Sequence, residues 1–187
     1  EGMIVTDQVD GYNGAPDRFD WKLVGKRELY IPYNTYRIAD KAVKYKDIIA
    51  KGTINPDYLR YELHRVWVVE GTLKPGQRHV DGKRTFYLDE DSWSVVSEEA
   101  YDNRGGLWRV ALLGMVQFYD AQVPWYRFGV VHDLTSGSYI LGGLDNELKE
   151  SIQFAFHIGG EGKTQEPGVY DDQRGGGDTP EPAPLVT

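Results

Sequence analysis

Apolar and polar side chains alternate with a period of two along most of residues 58–144. Such alternation is typical of β-strands with one face on a core, and these segments are rich in the aromatic and β-branched residues that strands favour. Acidic, proline-containing or glycine-containing turns separate them. Because the connections are short, we expect neighbouring strands to pair in order as an antiparallel meander. The predicted strands are Tyr58–Leu73, Arg84–Leu88, Trp93–Tyr101, Leu107–Tyr119, Trp125–Asp133 and Tyr139–Leu144.

The N-terminal part of the chain carries weaker signals and begins with a polar, turn-rich segment. Two short strands are predicted at Trp21–Val24 and Arg27–Ile31, with a turn at Gly25. Apolar residues recur at helical spacing over Asp40–Ala50, and Gly52 suits the position just beyond a helix. The sequence therefore predicts one short helix there, which needs packing against a sheet to be stable.

The long strand Leu107–Tyr119 indicates which side chains share a face. One face of this strand is the more apolar, and the other is partly apolar as well. We therefore expect both sides of the sheet to be covered in places, with a helix or plug on the concave side. Gly114 and Gly129 lie inside strands, where a sheet can bend or another group can approach closely. The more apolar face is predicted to carry Trp108, Val110, Leu112, Gly114, Val116 and Phe118.

Composition narrows the classes of function. The net charge is −8 and no basic run is present, so a nucleic-acid partner is not expected. The absence of cysteine excludes disulfides, thiolate catalysis and cysteine-ligated metals. No apolar run reaches the ~18 residues of a membrane helix. After Ile158 glycine, proline and acidic residues dominate, so residues 1–158 are predicted to form the folded domain and residues 159–187 a flexible tail.

Few side chains suggest a metal site. His64 shares a predicted strand face with Glu62 and Glu70, which are possible ligands, but a solvated strand face is the simpler interpretation. The acidic run at residues 89–91 lacks the glycine and the distant glutamate of an EF-hand loop, and a hairpin tip explains it. We therefore predict no metal and no cofactor.

Catalytic groups are also missing from the pattern. A glycosidase needs two carboxylates facing one cleft, but adjacent Glu98 and Glu99 point to opposite faces of a strand. No serine has the context of a nucleophile elbow. We predict no catalytic residues and no enzymatic activity.

Large apolar side chains are the remaining candidates for function. A filled core is the simpler explanation for each of them alone. Together, however, they are more numerous than one sheet and one short helix would cover, so some could line a hydrophobic cavity. The predicted ligand-binding residues are Trp67, Phe86, Trp108, Leu112, Val116, Phe118, Tyr126, Phe128 and Val130.

Long motifs in the chain resemble the DUF1329 family of Gram-negative bacterial proteins. They include DGYNGAPDRFDWKLVGKRELYIPYNTYRI, NPDYLRYELHRVWVVEGTLKPGQRH and VPWYRFGVVHDLTSG, and the resemblance covers about Asp10 to Glu147. The unit YLDEDSWSVVSEEAYD, followed by LWRV, is also similar to the strand–turn–strand repeat of LolA/LolB-type lipoprotein carriers. The implied fold is mainly β, an open and incomplete antiparallel β-barrel of the LolA/LolB type with a short helix and a hydrophobic interior.

The resemblance also implies location and partners. It implies an exported protein of the periplasm or of the inner face of the outer membrane, working near an outer-membrane DUF1302 protein and an RND-type exporter. It further implies that this chain is the C-terminal half of a longer protein, so the N-terminal half or another copy is expected to cover exposed strand edges. The family contributes no catalytic residue.

Two functions follow from these observations. The first is a non-enzymatic carrier or chaperone of a hydrophobic ligand, such as a lipid, a lipoprotein acyl chain or another apolar compound. The alternative is a structural module with a filled core, which docks an outer-membrane or exporter component through its sheet.

Overall fold

Strands dominate the structure, as the alternation predicts. The computed structural model describes residues 2–119 and 121–149. In these residues the strands are β1 (Phe19–Pro32), β2 (Ile49–Ala50), β3 (Thr53–Ile54), β4 (Tyr61–Leu73), β5 (Lys83–Asp89), β6 (Val95–Tyr101), β7 (Leu107–Phe118), β8 (Val123–Asp133) and β9 (Ser138–Gly142), and the α-helix is α1 (Tyr45–Ile48). Seven strands form one antiparallel sheet in the order β1-β4-β5-β6-β7-β8-β9, and β2 pairs with β3 separately. The predicted meander and the mainly β class are confirmed, and the sheet does not close into a barrel.

The first strand differs from its prediction. Instead of two short strands with a turn at Gly25, β1 is a single strand of 14 residues that pairs with β4 on both sides of that glycine. The register shifts between Leu23 and Gly25, where Gly25 has a φ of 139°. A β-bulge therefore uses the glycine that the sequence suggested as a turn, because one extra residue can be inserted without ending the pairing.

The predicted helix over Asp40–Ala50 is mostly wrong. The α-helix is confined to α1, after which the chain enters the β2–β3 hairpin, whose turn contains Gly52. The Asp40 carboxylate accepts a hydrogen bond from the Ala42 N–H at 2.8 Å, so it closes a local turn instead of starting a helix. Ile48 is nevertheless fully buried, so this short helix is held by packing, as expected.

The sheet curls until its first strand reaches β7. A parallel bridge joins Tyr33, just beyond β1, to Met115 in β7. Ile31 of β1, Val66 of β4, Val96 of β6 and Met115 form one buried cluster. Strands that lie three or four places apart in a sheet share a core only when the sheet bends into a trough. This cluster therefore marks the concave face.

Residues 33–60, here called the plug, fill one end of the trough. Ile38, Ile48 and Ile54 of the plug pack against Phe128 and Val130 of β8, and all five are at most 3% exposed. The plug thus covers part of the concave side, as the apolar character of both faces of the sheet predicted. The side chains of Phe128 and Val130 belong to a filled core.

Two register shifts occur along β7, with the unpaired residue in β7 at the first (Trp108) and in β8 at the second (Arg127). The first lies near Leu107 against β6, and the second follows Gly114 against β8. Trp108, predicted on the same face as Leu112, instead turns to the convex side, while Leu112 packs against the plug cluster. The single apolar face predicted from Trp108 to Phe118 is therefore wrong, because the unpaired Trp108 breaks the alternation of side chains along β7.

Gly114 and Phe128 form a cross-strand pair. A Cβ on Gly114 would lie 2.0 Å from Cε1 of Phe128, so the missing side chain leaves room for the ring to lie across β7. This confirms that Gly114 permits a close approach. Gly129, which follows Phe128 in β8, has no other side chain approaching it so closely, because no atom lies within 4 Å of the position of its Cβ.

Some sequence predictions lie outside the described residues. The predicted tail at residues 159–187 and the last part of the predicted domain at residues 1–158 fall there. Among the described residues, no helix has the length and apolarity that crossing a bilayer requires.

Candidate ligand-binding site

Residues 2–15, here called the strap, cross the convex face of the sheet. The Gly2 carbonyl accepts a hydrogen bond from the Arg109 guanidinium of β7. Gly11 is buried with a φ of 87°, and a Cβ there would lie 2.8 Å from Cβ of Val95. Glycine is needed at this position because it allows both the backbone conformation and the close approach. The polar opening segment of the sequence is thus a packed layer over the sheet.

A buried charge cluster anchors the middle of the strap. The Asp7 carboxylate lies 2.7 Å from Nε2 of His79 and 3.4 Å from Nη1 of Arg84. Arg84 is fully buried, and its Nε donates to the Glu98 carboxylate at 2.5 Å. Burial raises the pKa of Glu98 and of Asp81, and the positive charge of Arg84 opposes both rises. Ionic contacts therefore fix the strap to β5 and to the loop that precedes it, and Arg84 links this cluster to Glu98 of β6.

An apolar cavity of about 310 Å³ lies between the strap and strands β7–β9. This volume is at the lower end of the range of small-molecule sites. Gly129 and Gly142 leave space at the sheet surface, since no atom lies within 4 Å of the position of either Cβ. The apolar side chains that line the cavity on this side include Ile4, Val9, Ala111, Leu113, Val131 and Ile140.

The electrostatics of the cavity favour a neutral ligand. Among its described lining residues, Asp10 alone carries a formal charge, and it is exposed. The Asp10 carboxylate would repel an anionic headgroup at that end of the cavity, whereas it would not repel an uncharged apolar molecule. Val9, Trp125 and Ile140 are 39%, 45% and 40% exposed, so the cavity can be reached from solvent.

A second hollow of about 440 Å³ lies on the other side of Asp7. Its lining includes Thr6, Asn13, Arg18 and His79. These polar and charged groups suit water better than an apolar molecule. The cavity under the strap is therefore the candidate ligand site.

Four of the nine predicted ligand-binding residues line this cavity, namely Leu112, Tyr126, Phe128 and Val130. The side chains of Phe128 and Val130, at 1% and 0% exposure, are packed against the plug on the concave face. Strand alternation therefore directs them away from the strap.

The other five predicted residues are spread over the sheet. Trp67 stacks on a second indole at a centroid distance of 6.4 Å, and Phe86 packs edge-on against an aromatic ring of the strap. Trp108 lies 3.8 Å from a guanidinium carbon. Val116 is buried and Phe118 is half-buried at the end of β7. The structure does not bring the nine residues around one cavity, and their role in ligand binding stays a prediction.

Sequence reasoning missed the other cavity-lining residues. Ala111 and Leu113 alternate with Leu112, so the period of two already placed them on a common, partly apolar face, and that signal was available. Ile4 and Val9 are isolated apolar residues in a polar segment, and no periodicity indicated them. Their position depends on contacts of the strap with residues far along the chain.

The part of the concave face away from the plug is polar. The Tyr101 hydroxyl donates to Glu99 at 2.7 Å, and this hydrogen bond raises the pKa of Tyr101 to about 12. The Lys83 ammonium donates to Glu70 at 2.9 Å, which lowers the pKa of Glu70. Glu70, considered above as a partner of His64, is therefore engaged by a lysine instead.

Comparison with known proteins identifies the family. The profile described as "Protein of unknown function (DUF1329)" matches residues 1–168. The chain belongs to the DUF1329 family. An uncharacterized protein of Pseudomonas aeruginosa is 53% identical to this DUF1329 chain over 156 residues, which cover 83% of the chain and 34% of the relative. The chain thus spans about a third of the length of that relative, and the family resemblance seen in the motifs is confirmed.

Two solved structures are similar to this DUF1329 chain. A DUF1329 family protein from Desulfovibrio piger superposes with a TM-score of 0.43 at 13% identity, over 67% of this chain and 38% of that one. A domain described as an outer membrane lipoprotein-sorting protein, from Vibrio parahaemolyticus, superposes with a TM-score of 0.35 at 18% identity, over 45% of this chain and 40% of that one.

Proposed function

We propose that this DUF1329 chain is a non-enzymatic carrier of a neutral apolar ligand, such as a lipid or a protein-linked acyl chain. The observation that supports this function is the apolar cavity of about 310 Å³ between the strap and β7–β9. Each methylene removed from water there would contribute about 0.8 kcal/mol. A ligand can therefore be held without a set of specific polar contacts.

The charge of the chain supports the choice of a neutral ligand. Asp10 lines the cavity, and the whole chain has a net charge of −8. Both would repel a free fatty acid carboxylate or a phosphate headgroup. Esterified or amide-linked acyl chains carry no such charge at the linkage and suit the site better.

The proposal includes a location and transport partners. We infer a place in the periplasm or at the inner face of the outer membrane of a Gram-negative bacterium, where an apolar compound must be shielded from water between two bilayers. The motifs that resemble DUF1329 proteins of Gram-negative bacteria support this inference. An outer-membrane DUF1302 protein and an RND-type exporter are the proposed partners in transport.

Gly129→Phe tests the carrier function directly. The position of its Cβ faces open space beside the cavity, so a benzyl group there would occupy the volume that a ligand needs. The uncharged probe N-phenyl-1-naphthylamine is expected to bind to the unaltered chain with enhanced fluorescence, and Gly129→Phe is expected to abolish that enhancement. Gly129→Ala is the matched control, because it adds one carbon and should leave binding nearly unchanged.

The same experiment can fail in a defined way. Equal probe binding by Gly129→Phe and the unaltered chain, with urea unfolding midpoints also equal, would show that the cavity is not the binding site. Native mass spectrometry of the protein purified from its source, followed by lipid extraction, is an independent test and would identify the cargo. A stoichiometric neutral lipid supports the proposal, and a protein without any bound apolar molecule contradicts it.

A second candidate function is a module that docks through its sheet. The outer edge of β1 has no strand partner among the described residues, and β1 pairs only with β4 in the main sheet. Leu23 and Tyr30 of β1 are 61% and 67% exposed, which is unusual for large apolar side chains on a long edge strand. The proposed occupant is a strand from the remainder of a longer family member, since the chain spans about a third of one relative.

Strand addition is tested separately from ligand binding. Adding the remaining part of the longer relative as a separate polypeptide should give a one-to-one complex by size exclusion with light scattering. Tyr30→Lys should weaken that complex without changing probe binding, because β1 lies outside the cavity. A complex of unchanged affinity would exclude the β1 edge as the docking surface.

A further inference from the structure

His64 faces the hairpin that joins β5 to β6. Its Nδ1 lies 2.8 Å from Oδ1 of Asp89 and 3.6 Å from Oδ2 of Asp91. One ligand atom from each of the three residues lies within 4.8 Å of the others. His64 comes from β4, whereas both aspartates belong to the end of β5 and its turn. The three donors therefore meet only in the folded protein.

We propose that His64, Asp89 and Asp91 bind one divalent metal ion, with zinc as the ion that this donor set suits. One imidazole nitrogen and two carboxylate oxygens are a common set of zinc ligands, and water would complete the coordination. The ion would join the tip of the β5–β6 hairpin to β4. The separation of 2.8 Å between Nδ1 of His64 and Oδ1 of Asp89 is that of a hydrogen bond, and the exposed Asp91 side chain can move to coordinate an ion.

Groups around the cluster hold the donors as metal ligands are usually held. The other ring nitrogen of His64, Nε2, faces the Glu62 carboxylate at 3.7 Å, as in carboxylate–histidine–zinc arrangements. The His64 ring also packs on Tyr33 at a centroid distance of 4.4 Å. The second carboxylate oxygen of Asp89 accepts hydrogen bonds from the Ser92 N–H and hydroxyl, which leaves Oδ1 directed at His64.

The charge balance of the cluster favours a cation. Asp89 is fully buried, and among the described residues its ion pair is with His64, as is that of Asp91. The neighbouring arginines pair with other carboxylates, Arg60 with Glu62 at 3.3 Å and Arg65 with Glu90 at 3.1 Å. Hydrogen bonds from Ser92 and the contact with His64 offset part of the cost of burying the Asp89 carboxylate, and a divalent ion would supply a full positive charge as well.

The second histidine cluster provides an internal contrast. His79 also lies near two aspartates, Asp7 at 2.7 Å and Asp81 at 3.6 Å. These carboxylates, however, contact different ring nitrogens and share the guanidinium of Arg84. The protein itself supplies the positive charge there. The cluster around His64 lacks such an arginine and is the one suited to a metal.

Isothermal titration with ZnCl2, after treatment with a chelator, tests this site in the full chain. One zinc ion per chain is expected, and CoCl2 should give visible absorption bands typical of a low-coordinate site. Asp91→Asn is the main variant, because the Asp91 side chain is 78% exposed and its change should not disturb folding. It should weaken zinc binding about tenfold or more.

Two further variants complete the test. His64→Gln should also lose the zinc ion, whereas His132→Gln is the matched control and should bind zinc as the unaltered chain does. His132 is a sheet histidine whose described side-chain hydrogen bond is to the Thr53 hydroxyl. Absence of stoichiometric binding, or binding that Asp91→Asn leaves unchanged, would overturn the proposal. This site is separate from the cavity, so either result leaves the carrier function untouched.

Discussion

Gly114→Ala is expected to destabilise the protein through a single steric contact. The added Cβ would lie 2.0, 2.5 and 2.6 Å from three carbons of the Phe128 ring, whereas carbon atoms normally pack at about 3.5–4.0 Å. The ring would have to retreat by about 1.5 Å, judged against that spacing. Behind it lie Ile38 and Ile48 of the plug, which are fully buried. Overpacking of this kind lowers the free energy of unfolding by about 1–3 kcal/mol. Replacing a strand glycine by alanine opposes this loss by about 0.5–1 kcal/mol, because alanine loses less conformational entropy on folding.

The neighbouring glycine provides the control for this argument. Gly129→Ala replaces a glycine in the adjacent strand, but its Cβ meets no atom within 4 Å. It should be neutral or slightly stabilising. Urea unfolding followed by tryptophan fluorescence measures both free energies, with the slope m expected to be the same. If Gly114→Ala and Gly129→Ala differ by less than about 0.5 kcal/mol, the close approach of the ring does not limit stability.

Three other outcomes are expected. Arg84→Met should lower the free energy of unfolding by about 3–5 kcal/mol, because it leaves the buried Glu98 carboxylate without its partner; Arg65→Met, at a side chain 65% exposed, should cost less than about 1 kcal/mol in the same urea assay. The folded pKa of Tyr101, about 12, lies above its unfolded value near 10, so this group's contribution to stability is complete below pH 10 and is lost as the pH rises through 12. An NMR titration of the tyrosine ring carbons should show that Glu99→Gln lowers that pKa, and an unchanged pKa would contradict the assigned hydrogen bond. The anionic probe 1-anilinonaphthalene-8-sulfonate should bind to the cavity more weakly than neutral N-phenyl-1-naphthylamine by fluorescence titration, and the reverse order would contradict a preference for neutral ligands.

The arrangement of strands could be predicted from the sequence, because it depends on local periodicity. Each strand from β4 to β9 falls within a few residues of its predicted bounds, and their order is the predicted meander. The bulges could not be predicted in the same way. A one-residue shift near Gly25 or Gly114 depends on the partner strand, and it reverses the facing of every residue that follows.

The candidate site was harder to predict because it depends on long-range contacts. Phe128 and Val130, which were predicted to bind a ligand, pack into the core with the plug, whereas the cavity uses the other side of β8, including Val131. The strap that covers this side is held by pairs such as Asp7 with His79, which lie far apart in the sequence. Nothing in the local pattern of a polar opening segment distinguishes a packed strap from a loose end.

The position of the plug in the chain has a consequence for folding. Ile38, Ile48 and Ile54 precede β4, yet their packing partners Phe128 and Val130 come much later. At a synthesis rate of about 5–20 residues per second, roughly 70 residues must follow before those partners exist, which takes several seconds. During that interval three isoleucines have no native surface to cover them. We expect a newly made chain to require a holding chaperone until β8 has emerged.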